Sequence, residues 1–147
     1  MRELKENNIP VILKRVHRLP KNEDSKLFAP YEQAKILSEN GITFAFSYAG
    51  GMDAMGSRNL PFTAGTAVAY GLEYEEAIKA LTLNAAKILG VDKNLGSLEQ
   101  GKEATFFISS GDALDIINNN VENIFIKGEA VSLENHQTKL YEKYKER

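Results

Sequence analysis

The sequence predicts an α/β fold in which parallel strand–helix units come first and hairpin-type strands follow. Two short apolar runs, at residues 9–13 and 42–47, have the length and the β-branched or aromatic character of buried strands. Residues 31–41 between them place apolar side chains on one side and end at Gly41, as a helix with a glycine cap does. A strand, a helix and a second strand in this order favour a parallel βαβ unit.

Between the first strand and its helix, residues 14–30 are polar, contain two prolines and predict a loop. After the second strand, residues 58–72 predict a helix of small side chains that allows close approach to another element. The apolar residues within 73–90 have helical spacing, but this periodicity is interrupted near Thr82. We therefore predict two short helices, with Asn84 as the N-cap of the second and Gly90 at its end.

Beyond residue 92 the pattern changes to turns and short strands. Glycines at 96 and 101 predict tight turns with positive φ, and residues 104–109 predict a strand that needs cover on both faces. Residues 123–133 alternate and turn at Lys127-Gly128-Glu129, which predicts a β-hairpin. The charged residues 134–147 predict a terminal helix, and the chain has no internal repeat.

Composition excludes several classes of function. The chain has 147 residues, a formal net charge of -2 and a pI of about 5.8, so it lacks the basic balance of a nucleic-acid-binding protein. There is no cysteine, which excludes disulfides, thiolate zinc sites and thiol nucleophiles. The apolar runs are too short to span a bilayer, and residues 1–20 lack the pattern of a signal peptide. The compartment stays open, with the cytoplasm as the default.

The stretch GLEYEEAIKALTLNAAKILGVDKNLGSLEQGKEATFFISSGDALD, residues 71–115, resembles the tail of metal-dependent amidohydrolases, especially those related to imidazolonepropionase and Xaa-Pro dipeptidase (prolidase). In that family a T-x-N-x-A junction between two helices leads into G-S-L-E-x-G-K-x-A, then a strand, then G-D-x-L. Here Thr82, Asn84 and Ala86 form the junction, and residues 96–104 and 111–114 form the later motifs. The resemblance extends over nearly the whole chain from about residue 9.

This resemblance implies that the chain holds the last two β/α units of a TIM-barrel-type amidohydrolase, in residues 1–91. Residues 92–134 would return to a small β-sandwich, and residues 135–147 would form a C-terminal helix. The parent enzyme would hydrolyse a C–N bond in an amide, a cyclic amide or a dipeptide, with water activated by a metal or by a polar site. We expect a fragment of this kind to be inactive alone. The alternative is a non-catalytic binding or oligomerisation module derived from the same fold.

The family's metal ligands are histidines on earlier strands and an aspartate at the end of the eighth strand, and only the aspartate could lie in this chain. The sequence has two histidines, His17 and His136, so we assign no metal ligand here and leave a zinc-type divalent metal to the parent. Where the family pattern places the aspartate, this chain has Tyr48, and Asp53 follows five residues later. Either the ligand has been lost, or Tyr48 and Asp53 perform a modified role; an ordinary phenol is a poor base near neutral pH.

Three cationic or partly cationic side chains are candidates for substrate binding. Arg15 and His17 follow the first strand and would emerge at the open face of the barrel, where they could bind a substrate carboxylate. Arg58 stands near the start of the next helix and could help to bind an anion there. The glycine-rich loop before it raises phosphate binding as a rival hypothesis, although it matches neither of the common phosphate-loop patterns.

Isolated β/α units would leave strand edges unpaired, and unpaired edges favour association. We therefore expect a homo-oligomer, most simply a dimer in which such strands pair across the interface. In the parent, the expected partner is a small molecule or dipeptide.

Overall fold

A computed structural model of the chain describes residues 1–48 and 53–146, except for the side chain of Asp53. The glycine-rich residues 49–52 therefore lie outside the described part. The described residues form seven α-helices, five strands and a 3-10 turn at Ser57–Asn59. In chain order the elements are α1 (Arg2–Glu6), β1 (Val11–Lys14), α2 (Ala29–Glu39), β2 (Phe44–Ser47), α3 (Asp53–Gly56), α4 (Leu60–Ala69), α5 (Tyr74–Leu81), α6 (Leu83–Leu89), β3 (Phe106–Ser109), β4 (Val121–Ile126), β5 (Glu129–Val131) and α7 (His136–Tyr144).

The predicted parallel βαβ unit is confirmed. β1 and β2 pair in parallel, with Val11 opposite Phe44 and Lys14 opposite Ser47, and α2 connects them. Gly41 lies one residue beyond the C-cap of α2 with φ +68. The N–H of Ile42 donates to the carbonyl of Leu37, which closes the helix in a Schellman arrangement and leads the chain directly into β2.

The split of residues 73–90 into two helices is confirmed, but the predicted N-cap is wrong. Thr82 is the N-cap of α6, and its carbonyl accepts the first hydrogen bond of that helix, from the N–H of Ala86. Asn84 lies inside the helix. Gly90 ends α6 in the left-handed conformation, as predicted. The short α1 and α3 had no counterpart in the sequence prediction.

The second sheet has the strand order β3-β4-β5 and is antiparallel throughout. Its β4–β5 hairpin turns at Lys127 and Gly128, which both have positive φ (53 and 84), as a type I′ turn requires. Phe106 and Phe125 stack across β3 and β4 with ring centroids 4.9 Å apart. The strand prediction for residues 104–109 and the hairpin prediction are thus confirmed, with β4 starting two residues earlier than expected.

One hydrophobic core serves the described residues, and nearly all of it precedes residue 92. β2 is its centre, since Phe44, Ala45 and Phe46 are all buried and α4, α5 and α6 pack against this strand. Among the described residues after 92, the only core member is Leu114. The core comprises Leu13, Val16, Ala34, Leu37, Ile42, Phe44, Phe46, Ala64, Ala67, Leu72, Ala77, Ala80 and Leu114.

α7 begins with a capping box between Asn135 and Thr138, and none of its side chains is buried. Within the described ranges, no helix combines the length and the apolar character that a bilayer span needs.

Candidate functional site

Because β1 and β2 are parallel, the residues that follow them emerge at the same edge of the sheet. Arg15 follows β1 directly and adopts φ +55, a left-handed conformation that is uncommon for a residue with a side chain. After this bend Val16 enters the core with 4% exposure, and His17 reaches α4. Arg15 itself is exposed and makes no hydrogen bond or ion pair within the described residues.

His17 is held by two neighbours. Its Nε2 lies 2.7 Å from the hydroxyl oxygen of Thr66, and its ring meets the ring of Tyr31 edge-on at 6.0 Å between centroids. The Thr66 hydroxyl also lies 3.1 Å from the carbonyl oxygen of Phe62. A hydroxyl has one proton to donate, so when Thr66 donates to Phe62 the Nε2 of His17 donates to Thr66.

Tyr48 follows β2 and covers Gly56. A Cβ placed on Gly56 would lie 1.9 Å from Cε1 of the tyrosine, so the ring rests directly on the glycine backbone. The residue remains 38% exposed. Asp53 begins α3, but its side chain lies outside the described part. Arg58 is exposed in the 3-10 turn, with no hydrogen bond or ion pair to any other described residue.

A cleft of about 400 Å³ opens beside His17, between α4, the start of α5 and the loop 112–116. One wall consists of Phe62, Gly65, Thr66 and Val68 on α4. Leu114 and Ile116 add apolar surface from the loop, and Asp112, Asp115 and Tyr74 add polar groups. Of the described candidates from the sequence, the cleft contains His17; Tyr48, Arg15 and Arg58 do not line it.

Tyr74 and Asp112 form a pair at this cleft. The tyrosine hydroxyl donates to Oδ1 of Asp112 at 2.8 Å, and the N–H of Leu114 donates to the same oxygen at 2.8 Å. The hydrogen bond to the carboxylate, helped by burial and by the negative charge of Asp112, raises the pKa of Tyr74 above its ordinary value. The phenol therefore keeps its proton and continues to donate across the neutral range.

The loop that carries Asp112 is fixed by its own hydrogen bonds. The N–H of Ile117 donates to Oδ1 of Asp115, and the side-chain amide of Asn118 donates to its other oxygen. These donors lower the pKa of Asp115 below its ordinary value, so the carboxylate is ionised at neutral pH. The side-chain amide of Asn119 donates to the carbonyl of Ala113 at 2.8 Å and closes the loop.

Sequence reasoning missed Thr66, Tyr74, Asp112 and Asp115. Asp112 and Asp115 each accept an N–H from two residues ahead, as aspartates in turns do. Their place in a cleft depends on Tyr74, 38 residues earlier, and no local pattern signals a contact over that separation.

The donor set does not fit a metal site. Among the described side chains, those of residues 1–48 and 54–146, no group of three or more His, Asp or Glu is arranged to hold a metal ion. His17 is engaged with Thr66, and His136 lies exposed at the start of α7. We therefore derive no chemical step through a metal from these residues.

Comparison with known proteins decides the family. The profile described as the amidohydrolase family matches residues 2–131, which is most of the chain. The chain belongs to the amidohydrolase family. An imidazolonepropionase from Flavobacterium psychrophilum is 29% identical over 109 residues, which are 69% of this chain and 26% of that protein. An imidazolonepropionase from Shewanella baltica is 60% identical over 37 residues, 25% of this chain and 9% of that protein.

Solved structures agree with this assignment. An amidohydrolase from Thermotoga maritima has a TM-score of 0.68 and 29% identity, and the match covers 88% of this chain and 33% of that one. A Xaa-Pro dipeptidase with methionine bound in its active site has a TM-score of 0.58 and 25% identity, over 70% of this chain and 25% of that one. This amidohydrolase-family chain thus spans about a third or less of the length of the relatives that it matches. The predicted resemblance is confirmed, as is the mixed α/β class.

Proposed function

We propose that the chain supplies the carboxyl-terminal part of a hydrolase that cleaves C–N bonds in amides, cyclic amides or dipeptides. The observation that carries this is the family match over residues 2–131, combined with the small share of each relative that the chain covers. Imidazolonepropionase and Xaa-Pro dipeptidase among the similar proteins favour substrates of these classes. Any divalent metal, of the zinc type, would belong to the full-length parent.

In this proposal β1, α2 and β2 are the last parallel units of a TIM-type barrel, and β3–β5 are this chain's share of a small sandwich. Two features support it: β1 and β2 pair in parallel around α2, and the second sheet contributes almost nothing to the core. The chain alone would bind ligand without hydrolysing it. Arg15 and His17 would bind a substrate carboxylate, Arg58 would help to bind an anion, and Tyr48 and Asp53 are the candidates for a modified catalytic role.

The test uses the purified chain and three probes: a Xaa-Pro dipeptide, an N-acetyl amino acid and a cyclic amide. Release of amine measures hydrolysis, and calorimetric titration measures binding. We expect no hydrolysis and saturable binding of the dipeptide. The double variant R15A/H17A should weaken that binding by about tenfold or more, because charge-assisted hydrogen bonds to the carboxylate are lost.

The matched control is K21A/K26A, which removes two exposed positive side chains from the same loop. It should bind the dipeptide as the parent chain does. Hydrolysis by the isolated chain would contradict the fragment proposal. Equal effects of the two double variants would contradict the role of Arg15 and His17, since only general charge would then matter.

A second candidate function, a non-catalytic oligomerisation module, is favoured by the exposed face of the second sheet. Phe107, Ile124 and Val131 occupy one cross-strand row, and Ile126 shares their face. Phe107 is 51% exposed, Ile126 49% and Val131 41%. Contiguous apolar surface of this kind marks association sites.

Sedimentation velocity tests this candidate. A dimer is expected for the parent chain and a monomer for Phe107→Glu, which places a charge on this apolar face. Leu89→Glu is the control, because Leu89 is 74% exposed but lies on α6 in the other region. A parent chain that stays monomeric at high concentration rejects the oligomerisation module.

A further inference from the structure

The cleft beside α4 has a chemical character of its own, and among the described sequence candidates it shares only His17 with the edge of the β1–β2 sheet. Its volume of about 400 Å³ falls within the range of small-molecule sites. Its walls are mainly apolar, from Phe62, Val68, Leu114 and Ile116, with a few polar groups among them. Such a combination gives a ligand both a surface to pack on and groups that fix its orientation.

The cleft is formed by close packing of the loop against α4. A Cβ at Gly65 would lie 2.2 Å from the carbonyl oxygen of Leu114, so the loop can approach the helix only because this residue is glycine. Leu114 itself is 5% exposed and joins the core. Gly111 makes a similar approach within the loop, where an added Cβ would lie 1.8 Å from the carbonyl oxygen of Asn118. The wall is therefore preformed.

The hydrogen-bonding capacity left in the cleft belongs mainly to acceptors. Nε2 of His17 and the hydroxyl of Thr66 are engaged with one another, and the hydroxyl of Tyr74 already donates to Asp112. Oδ2 of Asp112 accepts no hydrogen bond from any residue that the structure describes, whereas Oδ1 accepts two. Asp115 accepts one hydrogen bond at each oxygen, and a carboxylate oxygen can accept a second.

An apolar cleft whose remaining polar groups are mainly anionic acceptors fits a ligand that donates hydrogen bonds and carries positive charge. We propose that this cleft binds a small primary amine in its ammonium form, with the nitrogen at Asp112 and Asp115 and an apolar body against Phe62 and Ile116. This is a different chemistry from the carboxylate recognition proposed for Arg15 and His17, although His17 also lines the cleft, and it does not depend on any hydrolytic activity.

Three probes that share a ring and differ in the head group test the proposal: benzylamine, benzyl alcohol and benzoate. Binding is followed on the full chain by backbone amide shifts in two-dimensional NMR. Benzylamine should shift the amides of Gly65, Thr66 and Leu114, and its affinity should fall as salt is added. The alcohol should bind about tenfold more weakly or worse, and benzoate should not bind.

Asp112→Asn is the decisive variant, because its amide oxygen can still accept from Tyr74 and Leu114 while the charge is removed. It should weaken benzylamine binding by about tenfold. Asp115→Asn provides a second arm with the same direction, in case the first variant unfolds. Glu129→Gln, an exposed carboxylate on β5, is the matched control and should leave the affinity unchanged.

Several outcomes would overturn the proposal. Equal binding of the alcohol and the amine would show that charge is not recognised. Preferred binding of benzoate would reverse the assigned sign of the site. Shifts that map elsewhere, no binding of benzylamine at all, or the same affinity for both folded aspartate variants and the parent chain would remove the site.

Discussion

The β1–β2 region and the β3–β5 sheet present apolar strands of similar length in very different surroundings. Phe44 on β2 is 1% exposed, whereas Phe107 on β3 is 51% exposed. β2 is flanked by β1 and covered by α4, α5 and α6, while the sheet contacts of β3 are with β4. The difference shows that an apolar strand needs other elements to cover its side chains, and that those elements come from elsewhere in the fold.

Leu114 connects the two regions. It is the only described residue after 92 in the hydrophobic core, and its carbonyl lies against Gly65 of α4. The second region is therefore attached to the first through this buried side chain and its loop, and through Gly96, where an added Cβ would lie 2.6 Å from Cβ of Ala86 on α6. Stability should reside in the first region, and changes at the joint should alter the second region before they unfold the first.

The largest expected effect follows from Phe44→Ala. Truncation of this buried ring leaves a cavity at the centre of the core and should reduce the free energy of unfolding by about 3–5 kcal/mol. Phe107→Ala, the matched change in the exposed region, should cost about 1 kcal/mol or less. Urea denaturation of both variants measures the difference. Equal losses would mean that the second sheet is as well covered as the first.

A smaller effect is expected from Gly65→Ala at the joint. In an open helix this change stabilises by up to about 1 kcal/mol, because alanine is the better helix former. Here the new Cβ would lie 2.2 Å from a backbone oxygen, and displacement of the loop should cost roughly 1–3 kcal/mol instead. Urea denaturation gives the sign, and NMR shifts of the amides at 112–116 report the displacement.

Ala69→Gly is the control for Gly65→Ala, because Ala69 is exposed at the end of the same helix. It changes helix propensity without touching the loop, so the amides at 112–116 should keep their positions in the spectrum. A stabilised Gly65→Ala with an unmoved loop would contradict the close approach.

The parts of the fold that were predictable depend on local chemistry. Gly41 and Gly90 end helices because positive φ suits glycine, and Lys127-Gly128 turns a hairpin for a related reason. The parallel βαβ unit follows from the order of its apolar runs. Asn84 misled the prediction because a good N-cap residue also fits inside a helix when the preceding threonine supplies the first carbonyl.

The cleft was not predictable, because its parts come from separate stretches of the chain. In the sequence, Gly65 is one small residue in a helix of small residues. The structure shows why glycine is needed there, because the carbonyl oxygen of Leu114 packs against it. Residues 104–109 were expected to need cover on both faces, yet Phe107 and Ile108 are about half exposed in the structure. Sequence predicts that such side chains require a partner, but not whether this chain contains it.

The smallest expected effect concerns Tyr74 and alkaline pH. Its pKa is raised above 10.0, first by the hydrogen bond to Asp112 and then by burial. A group whose pKa is higher in the folded than in the unfolded chain contributes stability below the unfolded value, and that contribution is lost as pH rises through the folded value. The parent chain should therefore be slightly more stable than Tyr74→Phe up to about pH 10, and this advantage should disappear above the raised pKa of Tyr74.

Urea denaturation of both proteins at a series of pH values from about 8 to 12 measures this difference, and lysine deprotonation affects the two equally. Tyr31→Phe serves as the control, because no hydrogen bond joins the hydroxyl of Tyr31 to any described residue. Its ring contacts the rings of Tyr70 and His17. The difference in the free energy of unfolding between Tyr31→Phe and the parent chain should stay constant over the same pH range. If Tyr74→Phe behaves like Tyr31→Phe, the hydroxyl does not hold Asp112 in solution, and the loop is joined to the first region by Leu114 without help from α5.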